Sequence, residues 1–299
     1  MSTFSVIPEG ARLFDRGLVR QRRHRAAQLD WAQNQFLFHE VADRLAERLL
    51  DITRTYDIAL DLGCHDGIFG QLLKDRNQVD YLVSADLGLD LMRDRASSKV
   101  LADEELLPFA PKSFDLIGSV LSLHWVNDLP GALVQIARAL KSDGLFLGAL
   151  FGLETLKELK DSLTEAELEV KGGVSPRISP FTEVRDAGAL LQRAGFALPV
   201  TDTDVLTLKY RHPFLLMQEL RGMGEANSLF ERQKGLTGRK VLMRAAEIYQ
   251  EKYQDEDGLI PATFQIIYLA GWAPHESQQK PLRPGSAKSS LKTVLGGKD

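Results

Sequence analysis

Ile58-Ala59-Leu60-Asp61-Leu62-Gly63-Cys64-His65-Asp66-Gly67 is the stretch that decides the fold of this chain. An apolar run ends in an acid and passes into a glycine-spaced turn, which reads as strand, tight loop and helix. Glycine at a strand exit lets the backbone turn and lets a ligand come close where a Cβ would otherwise stand. Asp61 supplies an acceptor at the same place. The spacing Gly63-x-x-x-Gly67 lacks the G-x-G-x-x-G on which a pyrophosphate settles at a helix N-terminus, so a dinucleotide such as NAD is disfavoured.

Upstream, Phe38, Val41, Ala42, Leu45 and Leu49 recur at helical spacing and mark an amphipathic helix leading into the first strand. Downstream, Phe69, Leu72 and Leu73 carry the helix after the loop, and Tyr81 to Ala85 forms a second strand closing on Asp86. A carboxylate about 20 residues past such glycines stands where it can accept from both hydroxyls of a ribose. A helix over Leu87 to Arg95 and a short strand at Lys99 to Leu101 follow, with Asp103 and Glu104 just beyond. Phe114 to Val120 is nearly continuous in apolar residues, as a doubly covered parallel strand should be. His124 and Trp125 fall at its carboxyl end, where ligands of open α/β sheets bind. His124 is read either as a proton acceptor or as a residue that caps and packs.

The later chain gives a helix over Leu129 to Lys141, a strand at Gly144 to Leu150, a helix over Glu154 to Val170, and strand character from Ala197 to Tyr210. Pro213 to Tyr253 reads as a helical insert interrupted at Gly222, Gly224 and Gly235, ahead of a last strand at Thr263 to Leu269. Those glycines read either as breaks that let a lid bend or as helix C-caps.

Composition sets bounds. At 299 residues and a formal charge of −4, the chain suits one large α/β domain and does not suit nucleic acid as partner. Its single cysteine, Cys64, excludes a disulfide framework within one chain and fits a reducing compartment. No apolar run reaches the roughly 18 residues that span a membrane. The N-terminus is basic, with Arg12, Arg16, Arg20, Arg22, Arg23 and Arg25. It reads as a solvated helix face, or as an arm that folds over the ligand site or meets an acidic or membrane partner. No zinc-binding H-E-x-x-H pattern exists, so no metal is expected.

Asp-Leu-Gly-Cys-x-x-Gly resembles the first motif of the class I S-adenosylmethionine (SAM) methyltransferases, with His65 where that family usually has its middle glycine. His65 is expected either to meet the methionine part of the ligand or to take ordinary negative-φ geometry and point to solvent. Leu13-Phe-Asp-Arg16, Leu123-His-Trp-Val126, Ser179 to Asp186, Arg221-Gly-Met-Gly-Glu225, Ala262 to Tyr268 and Gly271-Trp272 narrow the resemblance. Together these segments resemble the complex I assembly factor 5 family, itself similar to the malonyl-carrier-protein O-methyltransferase of biotin synthesis.

The resemblance implies a Rossmann-like, seven-stranded, mostly parallel sheet with an antiparallel last strand and a helical lid. It implies a basic arm and helix at 1–51, a SAM-binding domain at 52–272 with its insert at 213–253, and a flexible tail at 273–299. SAM is the implied cofactor, with Asp61, Gly63, Cys64, His65, Gly67, Asp86, Leu87, Asp103, Glu104 and Ser119 as its site. The resemblance implies a role in maturing respiratory complex I by modifying an arginine of a subunit, which that family is described as hydroxylating; the leading reading of the SAM fold is methyl transfer to a protein client of that kind. Arginine hydroxylation, non-catalytic SAM binding and carboxyl O-methylation of a small molecule or carrier protein are the alternatives. Peripheral membrane association and a cytoplasmic location are expected for a bacterial-type chain, or the matrix side of the mitochondrial inner membrane for a eukaryotic one.

Overall fold

A computed structural model of the chain describes residues 10, 12–92 and 97–279. Seven strands form one sheet: β1 (Tyr56–Leu62), β2 (Val79–Asp86), β3 (Ser98–Leu101), β4 (Phe114–Val120), β5 (Leu140–Phe151), β6 (Ala197–Tyr210) and β7 (Ile260–Trp272). Their order is β3-β2-β1-β4-β5-β7-β6. The first five run parallel, and β7 is antiparallel to both β5 and β6. Strand order reverses between β1 and β4, which opens a crevice outside their carboxyl ends.

The period-2 alternation of the strands splits the core into two layers. Tyr56, Ala59, Leu116 and Leu145 face the helices α3 (Phe36–Glu47) and α4 (Ile68–Asp75), while Leu60, Leu62, Ile117 and Phe146 face α5 (Leu129–Ala139) and α7 (Val184–Arg193). The first layer continues into α6 (Lys157–Lys171) and α9 (Arg239–Tyr253), which pack on each other past the sheet. β4 is buried along its whole length, as its apolar run requires.

Because β6 is parallel to β5, the segment that leaves its end emerges on the side of the crevice. That segment is α8 (Pro213–Gly222), a loop at 223–238, and α9. The insert is thus two helices around a long loop rather than one interrupted helix. Near the N-terminus lie α1 (Arg16–Gln28) and the single turn α2 (Trp31–Asn34), which both pack against α8.

The helix expected from Leu87 is not present over 87–92, where turns and bends run instead, and residues 93–95 lie outside the described residues. Asp86 closes this bend, its carboxylate accepting the Gly88 N–H at 2.9 Å. Of the tail expected at 273–299, residues 280–299 also lie outside the described residues. Among the described residues, no helix is long and apolar enough to cross a membrane.

Gly118 in β4 fixes the seating of α4, because a Cβ there would stand 2.0 Å from the edge of the Phe69 ring. Gly118→Ala is expected to cost about 1–3 kcal/mol of unfolding free energy, the range for overpacking a tight core. Chemical denaturation measures it, and an unchanged midpoint would contradict the packing described.

Candidate cofactor site

The loop after β1 adopts three left-handed residues, Gly63 (φ +64°), His65 (φ +50°) and Gly67 (φ +78°). At Gly63 a Cβ would collide with Ser122, so sterics and dihedral both require glycine. His65 tolerates the dihedral at some cost, and the expectation of negative φ and a solvent-facing ring is incorrect. Its imidazole is buried against Phe38, with ring centroids 4.4 Å apart, and stacks at 6.3 Å on Trp31. Nε2 lies 3.2 Å from the Leu121 carbonyl, which fixes it as the protonated nitrogen. Burial first, and then the nearby Arg23 charge, hold the His65 pKa below its ordinary value. The ring is therefore a neutral wall of the site, and its backbone N–H donates to Asp86 at 3.1 Å.

Three acids gather at the ends of β2 and β3, and two arginines from α1 meet them. Asp86 receives the His65 and Gly88 N–H groups and, at 3.2 Å to each oxygen, the Arg23 guanidinium. Glu104, wholly buried, accepts from Arg23 at 2.9 Å, from Arg16 and from the Ser122 hydroxyl. Asp103 accepts from Arg16 at 2.6 Å and from the Glu105 N–H. Burial alone would raise the Glu104 pKa, but the Arg23 and Arg16 charges overcome it and hold the carboxyl far below the usual range. Arg16 and Arg23 stand two helical turns apart and so share one face of α1. The basic run is therefore not solvated on every side, since Val19, Arg23 and Ala26 on one face of α1 are buried.

The Leu13-Phe-Asp-Arg16 segment explains how α1 is held. Phe14 packs edge-on to Trp125 at 5.2 Å and pairs with Leu229, Asp15 caps α1 by accepting the Leu18 N–H, and Arg16 reaches the acids. The Arg221-Gly-Met-Gly-Glu225 segment supplies the opposing clamp. Gly224 (φ +80°) ends α8 in a Schellman turn, with Glu225 N–H donating to the Leu220 carbonyl and Gly224 N–H to that of Arg221. A Cβ on Gly222 would strike Asn34, so α8 sits directly on α2.

This turn aims Glu225 at the end of β4. Its carboxylate lies 3.1 Å from His124 Nε2 and accepts from Trp125 Nε1 at 2.9 Å. Burial raises the Glu225 pKa, yet His124 beside it and the hydrogen bonds from His124 and Trp125 leave it below the ordinary value. His124 also packs on Phe151 at 4.6 Å, in a short 3-10 turn over Leu123–Trp125. Its Nδ1 is buried without a hydrogen bond.

The remaining expected positions are spread around this centre. Asp61 turns back to accept the Gly70 N–H in the first turns of α4, and Leu87 packs with Phe14, Val19 and Trp125. Cys64 is buried, and burial with Asp61 nearby pushes its thiol pKa well up, which disfavours the reactive thiolate. Ser119 is the penultimate residue of β4, wholly buried at the carboxyl end of the strand. Sequence reasoning did not single out Arg16, Arg23, Ser122 or Glu225 as site residues. Their partners lie 87, 81, 18 and 101 residues away, beyond any local pattern.

A methyltransferase-domain family model matches residues 32–199. The curated relatives include human "Arginine-hydroxylase NDUFAF5, mitochondrial", 46% identical over 96% of this chain and 84% of that protein. The chain belongs to the NDUFAF5 family. The zebrafish (Danio rerio) member is 45% identical over 95% of this chain and 89% of its own length. More distant is a malonyl-[acyl-carrier protein] O-methyltransferase of Gallionella capsiferriformans, 32% identical over 88% of this chain and 92% of its own. Among solved structures, the YcgJ protein of Bacillus subtilis superposes with a TM-score of 0.54 at 16% identity, covering 79% of this chain and 99% of that one. Phosphoethanolamine N-methyltransferase 2 of Haemonchus contortus, solved with S-adenosylhomocysteine, superposes at 0.53 with 14% identity, over 86% of this chain and 60% of that one. These neighbours establish the Rossmann-like fold that the NDUFAF5 family shares with class I methyltransferases.

Glu104 yields a stability test. A depressed carboxyl contributes stability that is complete above its unfolded pKa of about 4.3 and is lost as pH falls toward its folded value. Wild-type melting temperature is therefore expected to drop between about pH 5 and pH 2. Glu104→Gln should be less stable at neutral pH by about 3–5 kcal/mol, because two buried guanidinia lose a partner, and its melting temperature should fall less with acid. Parallel acid profiles would contradict a buried, ionised Glu104.

Proposed function

We propose that the strand-end centre binds SAM and that the protein is a methyltransferase-type enzyme acting on a protein client, a subunit of respiratory complex I. The observation that carries this reading is Asp86, an acid at the end of β2 facing a loop whose left-handed glycines leave backbone within reach of a ligand. Asp103 and Glu104 stand where the adenine and its linkage would be met, and Gly63, Cys64, His65 and Gly67 bound the amino-acid end. The ligand's sulfonium is already activated, so in-line displacement by an acceptor depends on positioning more than on a dedicated base. His124 is held by Glu225 beside the centre, where its unpartnered Nδ1 could take a proton from the acceptor.

A second reading has its own support. Asp86 and Glu104 already clasp a guanidinium, that of Arg23, so the centre has the chemistry to hold an arginine of a client. The relatives at 45–47% identity carry the name arginine-hydroxylase. Fold does not choose between methylation, hydroxylation and simple binding. Mass spectrometry of complex I subunits from cells with and without the protein does, since methylation adds a methylene and hydroxylation an oxygen. A cytoplasmic location with peripheral membrane association in bacteria, or the matrix face in mitochondria, follows from a client of that kind.

Ribose hydroxyls compete with Arg23 for one carboxylate, so two variants should move nucleoside affinity in opposite directions. Asp86→Ala is expected to weaken S-adenosylhomocysteine binding by about 1.5–3 kcal/mol, the range for hydrogen bonds to a charged group. Arg23→Gln is expected to tighten it several-fold while lowering the melting temperature. Calorimetry reads both. Unchanged affinity in Asp86→Ala, or weaker binding in Arg23→Gln, would contradict these assignments.

A further inference from the structure

Behind the His124–Glu225 pair lies an apolar cavity of about 190 Å³ between α6, α8, α9 and the ends of β5 and β7. Phe151, Leu159, Leu163, Leu220 and Phe264 supply most of its wall. Its polar groups are few and mostly committed: Arg177 is tied to Glu167 and Thr237, Asn227 donates to the Pro176 carbonyl, the Thr155 hydroxyl donates to the Gln265 carbonyl, and Glu225 is held by His124 and Trp125. The Ser179 hydroxyl on the wall is buried without a partner. An engineered cavity of about 150 Å³ with a purely apolar lining stays dry and takes up benzene; here the charged groups on the wall are tied to neighbours, so its hydrocarbon portion suits a compact apolar group. Such pockets, apolar with a few convergent polar groups and set between helices, are where small ligands bind.

Trp125 and Glu225 line this cavity, and the Trp125 carbonyl on the other side receives Arg16, which also holds Asp103. The cavity and the acid centre therefore share a wall of two residues. We propose that this cavity is the anchor site for the acceptor, taking a neutral, compact hydrocarbon group about the size of toluene and leaving the reacting end at His124 and the strand ends. The role as acceptor anchor rests on the methyl-transfer reading above, but the cavity's capacity for hydrocarbon does not. The same chemistry is presented by an aromatic side chain of a protein and by the end of a short acyl chain.

The test is a toluene titration of the full chain followed by ligand-observed NMR, with S-adenosylhomocysteine affinity measured separately by calorimetry. Wild type should bind toluene saturably. Met217→Trp and Leu242→Trp, two independent substitutions that project bulk into the cavity, should weaken toluene at least tenfold while keeping the melting temperature and nucleoside affinity near wild type. Competition of toluene by N-acetylphenylalanine amide assigns the site to a peptide side chain, and by hexanamide to an acyl chain. Failure of both neutral compounds to compete overturns the anchor role. Absence of saturable toluene binding in wild type, or undiminished binding in either folded variant, overturns the cavity assignment. Loss of nucleoside binding alone, with toluene binding intact, would instead strike the methyl-transfer reading.

Discussion

The buried ion cluster of Arg23 and Arg16 with Asp86, Glu104 and Asp103 is the constraint on which the rest of the site depends. Strand-end carboxylates packed this closely repel one another, and an unpaired buried charge carries a desolvation penalty of several kcal/mol. Two guanidinia on one face of α1 remove both problems, because each offers a planar fork of donors that a lysine could not match. The consequence is positional. With its charges committed, α1 can lie only across the carboxyl ends of β1, β2 and β4, and Phe14 and Asp15 then fix its start against Trp125 and Ser228. The α8 turn closes on the same helix, since Gly224, held at φ +80°, sits against the Arg22 backbone and Ala26.

This arrangement gives the strand ends two neighbouring environments. On one side is a charge-balanced polar centre, in which any ligand that hydrogen-bonds to Asp86 must come to terms with Arg23. On the other is a hydrocarbon-lined cavity, and Trp125 with Glu225 separates them. A sheet of this topology brings such contrasts together because the switch between β1 and β4 and the exit of β6 open on the same side. Chemistry at that edge is then set by what the N-terminal helix and the insert bring to it, which is how one fold can serve relatives named for different reactions.

Much of this was legible in the sequence because it is periodic. The continuous apolar runs of β1 and β4 report strands covered on both faces, the helical spacing of Phe38, Val41 and Leu45 reports one face buried, and those elements lie where the pattern placed them. The antiparallel last strand followed from family resemblance rather than from any local signal. What stayed hidden were partners chosen across long sequence separations. Arg23 looks like any other residue in a run of arginines until the fold sets it 3.2 Å from Asp86. Of the two readings of His65, the solvent-facing one fails, because Trp31 and Phe38 provide a buried aromatic slot for its ring at left-handed φ. The Leu87 segment runs as bends and a turn over 87–92, with the Gly88 N–H held by Asp86.

The central claim is that the centre under α1 is a nucleoside site which the chain's own arginines occupy. Amide hydrogen exchange with and without saturating S-adenosylhomocysteine tests it most directly. The account expects slower exchange in the loop at 63–67 and at 86–88, and altered exchange along Arg16–Gln28 as Arg23 gives up Asp86. Unchanged protection in all three segments, or protection confined to a distant part of the chain, would contradict it.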